Sequence, residues 1–301
     1  MNTPAVALEG ARVRNARLAA YIALTKPRII ELLLVTTLPT MFVAQRGLPP
    51  VWLMVATLAG GALAAGGANA LNMVIDRDID RVMHRTRNRP LVTGVLTPRQ
   101  ALVFALGLEV VAFAELWAAV NLLSACLAVS ATLFYVFVYT LWLKRSSSQN
   151  IVIGGAAGAV PVLVGWSAVT GSLSWTPVAL FALIFIWTPP HFWALAVKYQ
   201  DDYRAVNVPM LPAVASTRRT ATSIVAYTVG LVAVSFVVAA VGHLGVVYVA
   251  CAAVLGGIFL VLVVQFRLRA TPKAAMTVFG YSITYLTLLF VAMAVGVFVR
   301  S

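Results

Sequence analysis

Apolar residues run along this chain in long blocks separated by short polar breaks. Each block is long enough to cross a bilayer, which takes roughly 20 residues. Nine such spans can be placed: 28–46, 51–74, 98–118, 121–141, 150–170, 176–197, 220–241, 244–266 and 275–298. A bilayer core offers no water to bare backbone, so every span is predicted to be a helix. The expected fold is all-α: one polytopic membrane domain over residues 1–301, with about nine transmembrane helices bundled around a central cavity. Residues 11–26 mix arginine with Leu, Ala and Tyr, and are expected to form an amphipathic helix along the membrane surface within the segment 1–27. Pro27 suits the start of the first span. The segment before that span lacks the apolar core of a signal peptide.

Composition agrees: 61% of the chain is hydrophobic and 10% is charged, where soluble domains carry about a quarter charged residues. The net charge of +13 is compatible with a nucleic-acid partner until its distribution is considered. All but Arg46 and Arg300 of the 22 basic residues fall on one side of the nine spans. That is the positive-inside pattern, which sets the N-terminus in the cytoplasm and the C-terminus outside, and it argues against nucleic acid. The plain start of the chain fits a bacterial plasma membrane. Cys126 and Cys251 lie in apolar stretches and read as small hydrophobes.

Connections on the outer side are very short. On the cytoplasmic side, 75–97 and 198–219 are long and hold five of the nine acidic residues: Asp76, Asp78, Asp80, Asp201 and Asp202. Asp76 to Lys198 and Asp80 to Asp202 are each 122 residues apart, and each connection then reaches a Pro-Leu or Leu-Pro step. This suggests a duplicated four-helix unit plus a ninth helix, a construction that tends to put its site at the repeat interface.

Asn72, Asp76 and Asp80 follow i, i+4, i+8 at the end of the second span, which stacks them on one helical face about 6 Å apart along the axis. Two carboxylates and an amide on one stripe repel one another unless a cation lies between them. Mg²⁺ suits such oxygens, since it binds through one or two carboxylates together with substrate phosphates. The plain alternative is a solvated helix end with Asp–Arg pairs. Downstream, Arg85 and Arg89 are candidates for bidentate contact with phosphate. Lys144 and Arg145 lie on the same membrane face and complete an anion clamp or simply anchor a helix end.

The sixth span ends in the run Trp187-Thr188-Pro189-Pro190-His191, where the proline pair is expected to kink or break the helix. His191 is read as a proton relay, a metal ligand or a hydrogen-bonded structural group. Lys198 and Asp202 share a helical face, either pairing with each other or contacting diphosphate and a second metal respectively.

These stretches together resemble the intramembrane prenyltransferases that make quinones, chlorophylls and haem O, whose first motif N-x-x-x-D-x-x-x-D is matched by Asn72, Asp76 and Asp80. Within that family the likeness is to the haem-farnesylating branch. It is carried by Thr25-Lys26-Pro27-Arg28, Asn72 through Leu91, Tyr139 through Ile151, and Trp187 through Tyr203 with Pro209–Pro212 beyond. Lys198 stands where many members have the first Asp of a second D-x-x-x-D motif. The resemblance implies Mg²⁺-dependent transfer of a farnesyl group from farnesyl diphosphate to a vinyl group of haem b. It implies Asp76, Asp80, Lys198 and Asp202 as catalytic residues, with Asp76, Asp80 and Asp202, and Asn72 in addition, toward the metal. Asn72, Arg85, Arg89, Lys144 and Arg145 would hold diphosphate, and His191, Trp187 and Tyr139 would face the acceptor, His191 toward its iron or a proton. It also implies membrane lipid and a partner from haem A synthesis or oxidase assembly. Rival readings are prenyl transfer to a quinone precursor or chlorophyllide and, from another class, a secondary transporter. A transporter would set its acids near the bilayer midplane, whereas these cluster at one face.

Overall fold

The computed structural model describes residues 15–299, with backbone alone at 28, 29 and 31–34. Arg12, Arg14, Arg300 and the start of the expected surface helix lie outside the described residues, as do the side chains of Arg28 and Glu31. Residues 15–25 are helical. The long helices that follow are α1 (Pro27–Gln45), α2 (Val51–Ile75), α3 (Pro98–Ala119), α4 (Leu122–Ser146), α5 (Asn150–Thr170), α6 (Trp175–Lys198), α7 (Thr217–Val241), α8 (Val246–Arg269) and α9 (Pro272–Val299). The eight from α2 to α9 are long and apolar enough to cross a membrane, and α1 is a helix of 19 residues. No strand occurs among the described residues. Cys126 and Cys251 are free thiols.

Helix starts follow local chemistry. Proline takes the first helical position of α1, α3 and α9, where its missing N–H costs nothing. Thr97 and Gln100 form a reciprocal capping box at α3, and Asn121 accepts from the Ser124 amide at α4 (2.8 Å). These side chains satisfy donors that a helix cannot satisfy itself. Each long connection opens with a helix of six residues, Arg77–Val82 after α2 and Gln200–Ala205 after α6. The two halves therefore repeat one another at the positions where the sequence spacing of 122 falls.

Successive helices pack side by side, and α9 returns to α1, closing a ring; α1 also packs on α5. The most buried span is α6. It runs as unbroken helix through Pro189 and Pro190, contrary to the expected break. The two prolines give no N–H to the carbonyls of Phe185 and Ile186. Packing against α5, α7 and α9 holds the helix regardless, and Thr188 Oγ1 donates to the Ile184 carbonyl (2.9 Å). Neighbouring helices and threonine hydroxyls commonly compensate proline in this way within membranes.

Small residues set the approach of helices. A Cβ on Gly165 of α5 would lie 2.8 Å from the Thr37 carbonyl oxygen of α1, a backbone atom that cannot swing aside. Around Gly257 of α8 there is nothing within 4 Å. Gly165→Ala is expected to destabilise the bundle by about 1–3 kcal/mol through overpacking. Gly257→Ala should be neutral or stabilising by up to ~1 kcal/mol through helix propensity. Thermal unfolding of the two variants in detergent checks the contrast, and equal melting temperatures would contradict the packing assignment.

Candidate active site

The motif Asn72, Asp76 and Asp80 spans a junction rather than one helix. Helix α2 ends at Ile75, Asp76 is its C-cap, and the six-residue helix starts at Arg77. The ladder still steps by four, with Asp76 N–H on the Asn72 carbonyl and Asp80 N–H on the Asp76 carbonyl, both at 2.9 Å. The three side chains therefore keep a common face. Asn72, Asp76 and Asp80 are all buried. Asn72 Nδ2 donates to Asp76 Oδ2 (2.7 Å) and to Thr140 Oγ1 of α4 (3.2 Å). Asp78 leaves that face as expected. Its carboxylate takes two bonds of 2.7 Å from Arg145, which hold its pKa down to about 2.

Side-chain cations supply the charge relief that the carboxylate stripe needs. Lys144 Nζ is paired with Asp76 Oδ2, and Arg89 Nη1 lies 2.6 Å from Asp80 Oδ2. Arg145, expected at the anion clamp, is turned outward to Asp78. Thr86 Oγ1 donates to the Asp80 carbonyl (3.1 Å) and Arg77 Nε to the Leu91 carbonyl (3.1 Å), so the first connection folds back onto its own start.

In the second connection Asp202 is placed differently from the expectation. Its two oxygens accept from consecutive backbone amides of the first connection, His84 at 3.2 Å and Arg85 at 3.0 Å. No group of three or more His, Cys, Asp or Glu side chains suited to one metal forms among the described residues, so Asp202 does not join Asp76 and Asp80 in a single cluster. Lys198 is exposed, with its ammonium 5.5 Å from the Tyr199 ring centroid, and among the described residues no ion pair joins it to Asp202. The physical reason is competition: two adjacent N–H groups offer Asp202 a bidentate partner without ordering a long lysine. Arg85 packs over the rings of Tyr199 and Tyr203, 5.1 and 5.6 Å from their centroids, and donates to the Tyr203 hydroxyl (3.3 Å).

Below this polar layer a cavity of about 490 Å³ enters the bundle, a size usual for small-molecule sites. Lys26, Asn72, Arg85, Arg89 and Lys144 line its polar end, and its walls are otherwise largely alanine, threonine, glycine and aromatic residues, most of them from α2, α4, α5 and α6. Tyr139 and Trp187, the residues expected toward the acceptor, line it. Tyr139 fits because Gly154 faces it: a Cβ there would come within 2.3 Å of the ring.

His191 is outside the lining. It is stacked on Trp187 (centroids 4.2 Å apart) and on Phe279 (4.7 Å), with Nδ1 2.7 Å from Ser282 Oγ. Ser282 gives its one proton to the Phe279 carbonyl (2.6 Å). The contacts are those of the hydrogen-bonded structural group among the readings of this residue.

Sequence reasoning passed over two residues. Lys26, counted toward topology and the family resemblance but given no site role, lies at left-handed φ 53° before Pro27, a backbone state rare for a long side chain. That turn sends its ammonium to Asn72 Oδ1 (3.1 Å), and Asn69 Nδ2 secures the turn through the Thr25 carbonyl (3.0 Å). Burial, with Arg89 and Lys144 nearby, pushes the Lys26 pKa down to about 7. The signal available in sequence was the Lys-Pro step at a span start. Thr140, the second, lies in a stretch of α4 wound as π-helix over Phe134–Leu143, which no residue pattern announced.

Asp76 Oδ1 is buried with no hydrogen-bond donor, and the Arg145 guanidinium stands 3.9 Å away. An orphaned carboxylate oxygen beside Asn72, with Asp80 one turn on, is the hard donor set that a magnesium-like cation takes.

Residues 33–299 match the model of the UbiA prenyltransferase family. The chain is 53% identical over 289 residues to a protoheme IX farnesyltransferase of Renibacterium salmoninarum, covering 94% of this chain and 91% of that one. It is 52% identical over 297 residues to one of Streptomyces avermitilis, covering 97% of each. Among solved structures, a digeranylgeranylglyceryl phosphate synthase superposes with TM-score 0.77 at 16% identity, over 93% of this chain and 98% of that one. A UbiA homologue of Archaeoglobus fulgidus bound to GPP and Mg²⁺ superposes with TM-score 0.60 at 16% identity, over 92% and 99%. With a family match over most of its length and relatives above half identity, the chain belongs to the UbiA prenyltransferase family.

Proposed function

We propose that the protein transfers the farnesyl group of farnesyl diphosphate to a vinyl group of haem b, giving haem O, with Mg²⁺ as cofactor. The observation that carries this reading is the polar end of the cavity, where Lys26, Arg85, Arg89 and Lys144 converge at the top of an apolar chamber. Four cations around one opening suit a dianionic or trianionic head, and the chamber suits an isoprenoid tail. The relatives named above as protoheme IX farnesyltransferases support haem b as acceptor. The positive-inside distribution supports a cytoplasmic mouth in a bacterial plasma membrane.

Bound at Asp76 and Asp80 with Asn72 beside them, Mg²⁺ would supply Lewis-acid charge neutralisation to diphosphate. Lys26, Lys144, Arg85 and Arg89 bind the phosphate oxygens. They stabilise the negative charge that builds as the C1–O bond of farnesyl breaks and its electron pair leaves with diphosphate. Lys144 and Arg89 already neutralise Asp76 and Asp80, so the carboxylates do not repel the incoming anion. Asp202 acts from behind by holding the backbone of residues 84 and 85, and so orients Arg85 over the mouth. Tyr139, Trp187 and the alanine- and glycine-rich walls keep bulk water from the allylic cation. The vinyl π-electrons bond to C1, and the cation left on the porphyrin side chain takes up water with loss of a proton.

Purified in detergent with farnesyl diphosphate, haem b and Mg²⁺, the protein is expected to yield the mass of haem O, and chelation of the metal should abolish it. No product, or prenylation of 4-hydroxybenzoate in its place, overturns the assignment. Asp76→Asn is expected to lower kcat about 10²–10³-fold, as for loss of a charge-stabilising group, and to lower the melting temperature because Lys144 loses its buried partner; a near wild-type rate would count against its role. Lys26→Met should raise KM for farnesyl diphosphate roughly 10- to 100-fold, as for a hydrogen bond to a charged group. Its KM for haem b should stay unchanged, and steady-state kinetics in each substrate tests the separation.

A further inference from the structure

Two cavity-lining residues of α4 cannot both face the cavity from an ordinary helix. Tyr135 and Lys144 line it together, yet they are nine positions apart. At 3.6 residues per turn nine positions make two and a half turns, which is the opposite side of the helix. The residue that an α-helix would align with Tyr135 and Tyr139 is Trp142, seven positions from Tyr135. In the structure Trp142 is 64% exposed and Lys144 is paired with Asp76.

The π-helical stretch Phe134–Leu143 resolves this. Its bonds reach back five residues, as from the Lys144 amide to the Tyr139 carbonyl, so each turn takes in more residues than an α-turn does. The lining follows the change. Ala128, Thr132 and Tyr135 step by four and three, then Tyr139 by four and Lys144 by five.

One side chain sits at the centre of the wide turns. Thr140 is fully buried. Its hydroxyl donates to the carbonyl of Tyr135, five residues back, at 2.8 Å, and accepts from Asn72 Nδ2 at 3.2 Å. The same group thus closes the π-turn on α4 and ties it to the carboxylate motif of α2. π-Turns inside α-helices occur frequently at functional sites, and here the sequence residue that selects the winding can be named.

We propose that Thr140 is a positioning residue: its hydroxyl locks α4 in π-register and so presents Lys144, rather than Trp142, to the diphosphate site. The proposal rests on the diphosphate reading of the mouth and is independent of the acceptor. Thr140 touches no reacting atom, and its effect runs through Lys144 and Asn72.

The test reads register directly. In full-length protein with Cys126→Ala and Cys251→Ala, single cysteines are introduced by Lys144→Cys or Trp142→Cys. They are labelled with a water-soluble, negatively charged thiosulfonate, with and without inorganic pyrophosphate. With Thr140 intact, pyrophosphate at ten times its Kd should slow labelling at 144 roughly ten-fold, as site occupancy requires, and leave 142 unaffected. Thr140→Val and Thr140→Ala should abolish protection at 144 and transfer it to 142, while Thr140→Ser should keep the original pattern. The alanine variant separates loss of the hydroxyl from overpacking by valine. Protection confined to 144 in the valine and alanine variants overturns the proposal and leaves the diphosphate reading standing. So does a serine variant that behaves like valine, or failure of both apolar variants to fold where serine succeeds. Absence of pyrophosphate binding to protein that keeps both Thr140 and Lys144 overturns the diphosphate reading, and the proposal with it; pyrophosphate binding to the Lys144→Cys variant without protection at 144 overturns the proposal alone.

Discussion

The structure depends on pairing charge where the helices end. Asp76 and Asp80 are buried, and an ionised carboxylate there without a counter-charge would cost several kcal/mol. Each instead meets a cation from another element, Lys144 from the inner end of α4 and Arg89 from the connection that follows. Lys26 reaches the same cluster from the start of α1 through Asn72. Four segments distant in sequence are thereby drawn to one point, and the polar end of the cavity is what they enclose. Removing any one charge leaves its partner buried without compensation, so the cluster also fixes how α1, α2 and α4 are seated.

The remainder of the bundle serves this arrangement by close packing of small residues. Gly154 leaves room for Tyr139, and Gly165 lets α5 approach the backbone of α1. Within the membrane there is little hydrophobic gain in helix association, so contact at this range supplies the adhesion. The chamber persists because much of its wall is alanine, glycine and threonine, too short to fill it, while Trp187 and Tyr139 give it flat aromatic sides.

Much of this was legible in the residues, for a physical reason. Block length announces a span because the bilayer has a fixed thickness, and spacing by four announces a shared helical face. The span order and the face shared by Asn72, Asp76 and Asp80 follow from those two rules. What escaped depends on contacts between distant segments. Lys144, the cation paired with Asp76, is 68 residues away, and the amides that hold the Asp202 carboxylate belong to backbone more than 100 residues away. The sequence left Asp202 between a pair with Lys198 and a metal, and did not assign it to a loop backbone, because an amide donor carries no mark in a sequence. The Pro189–Pro190 pair was read as a kink or a break because the rule against proline in helices is local, while the support that keeps α6 unbroken is supplied by its neighbours. The π-winding of α4 was invisible since its sequence, FYVFVYTLWL, is as apolar as any span.

The contact made by Asp202 has a consequence for how the mouth can vary. It holds the first connection by peptide N–H groups, which are identical for every amino acid except proline. Whatever side chains stand at positions 84 and 85, the strap stays fastened. The Arg85 side chain, which also stacks on Tyr199 and Tyr203, can then be exchanged, lengthened or shortened to suit a different anionic head without unfastening those amides. Anchorage and recognition are thus assigned to different atoms of the same residue, an arrangement that lets ligand preference drift without loosening the frame.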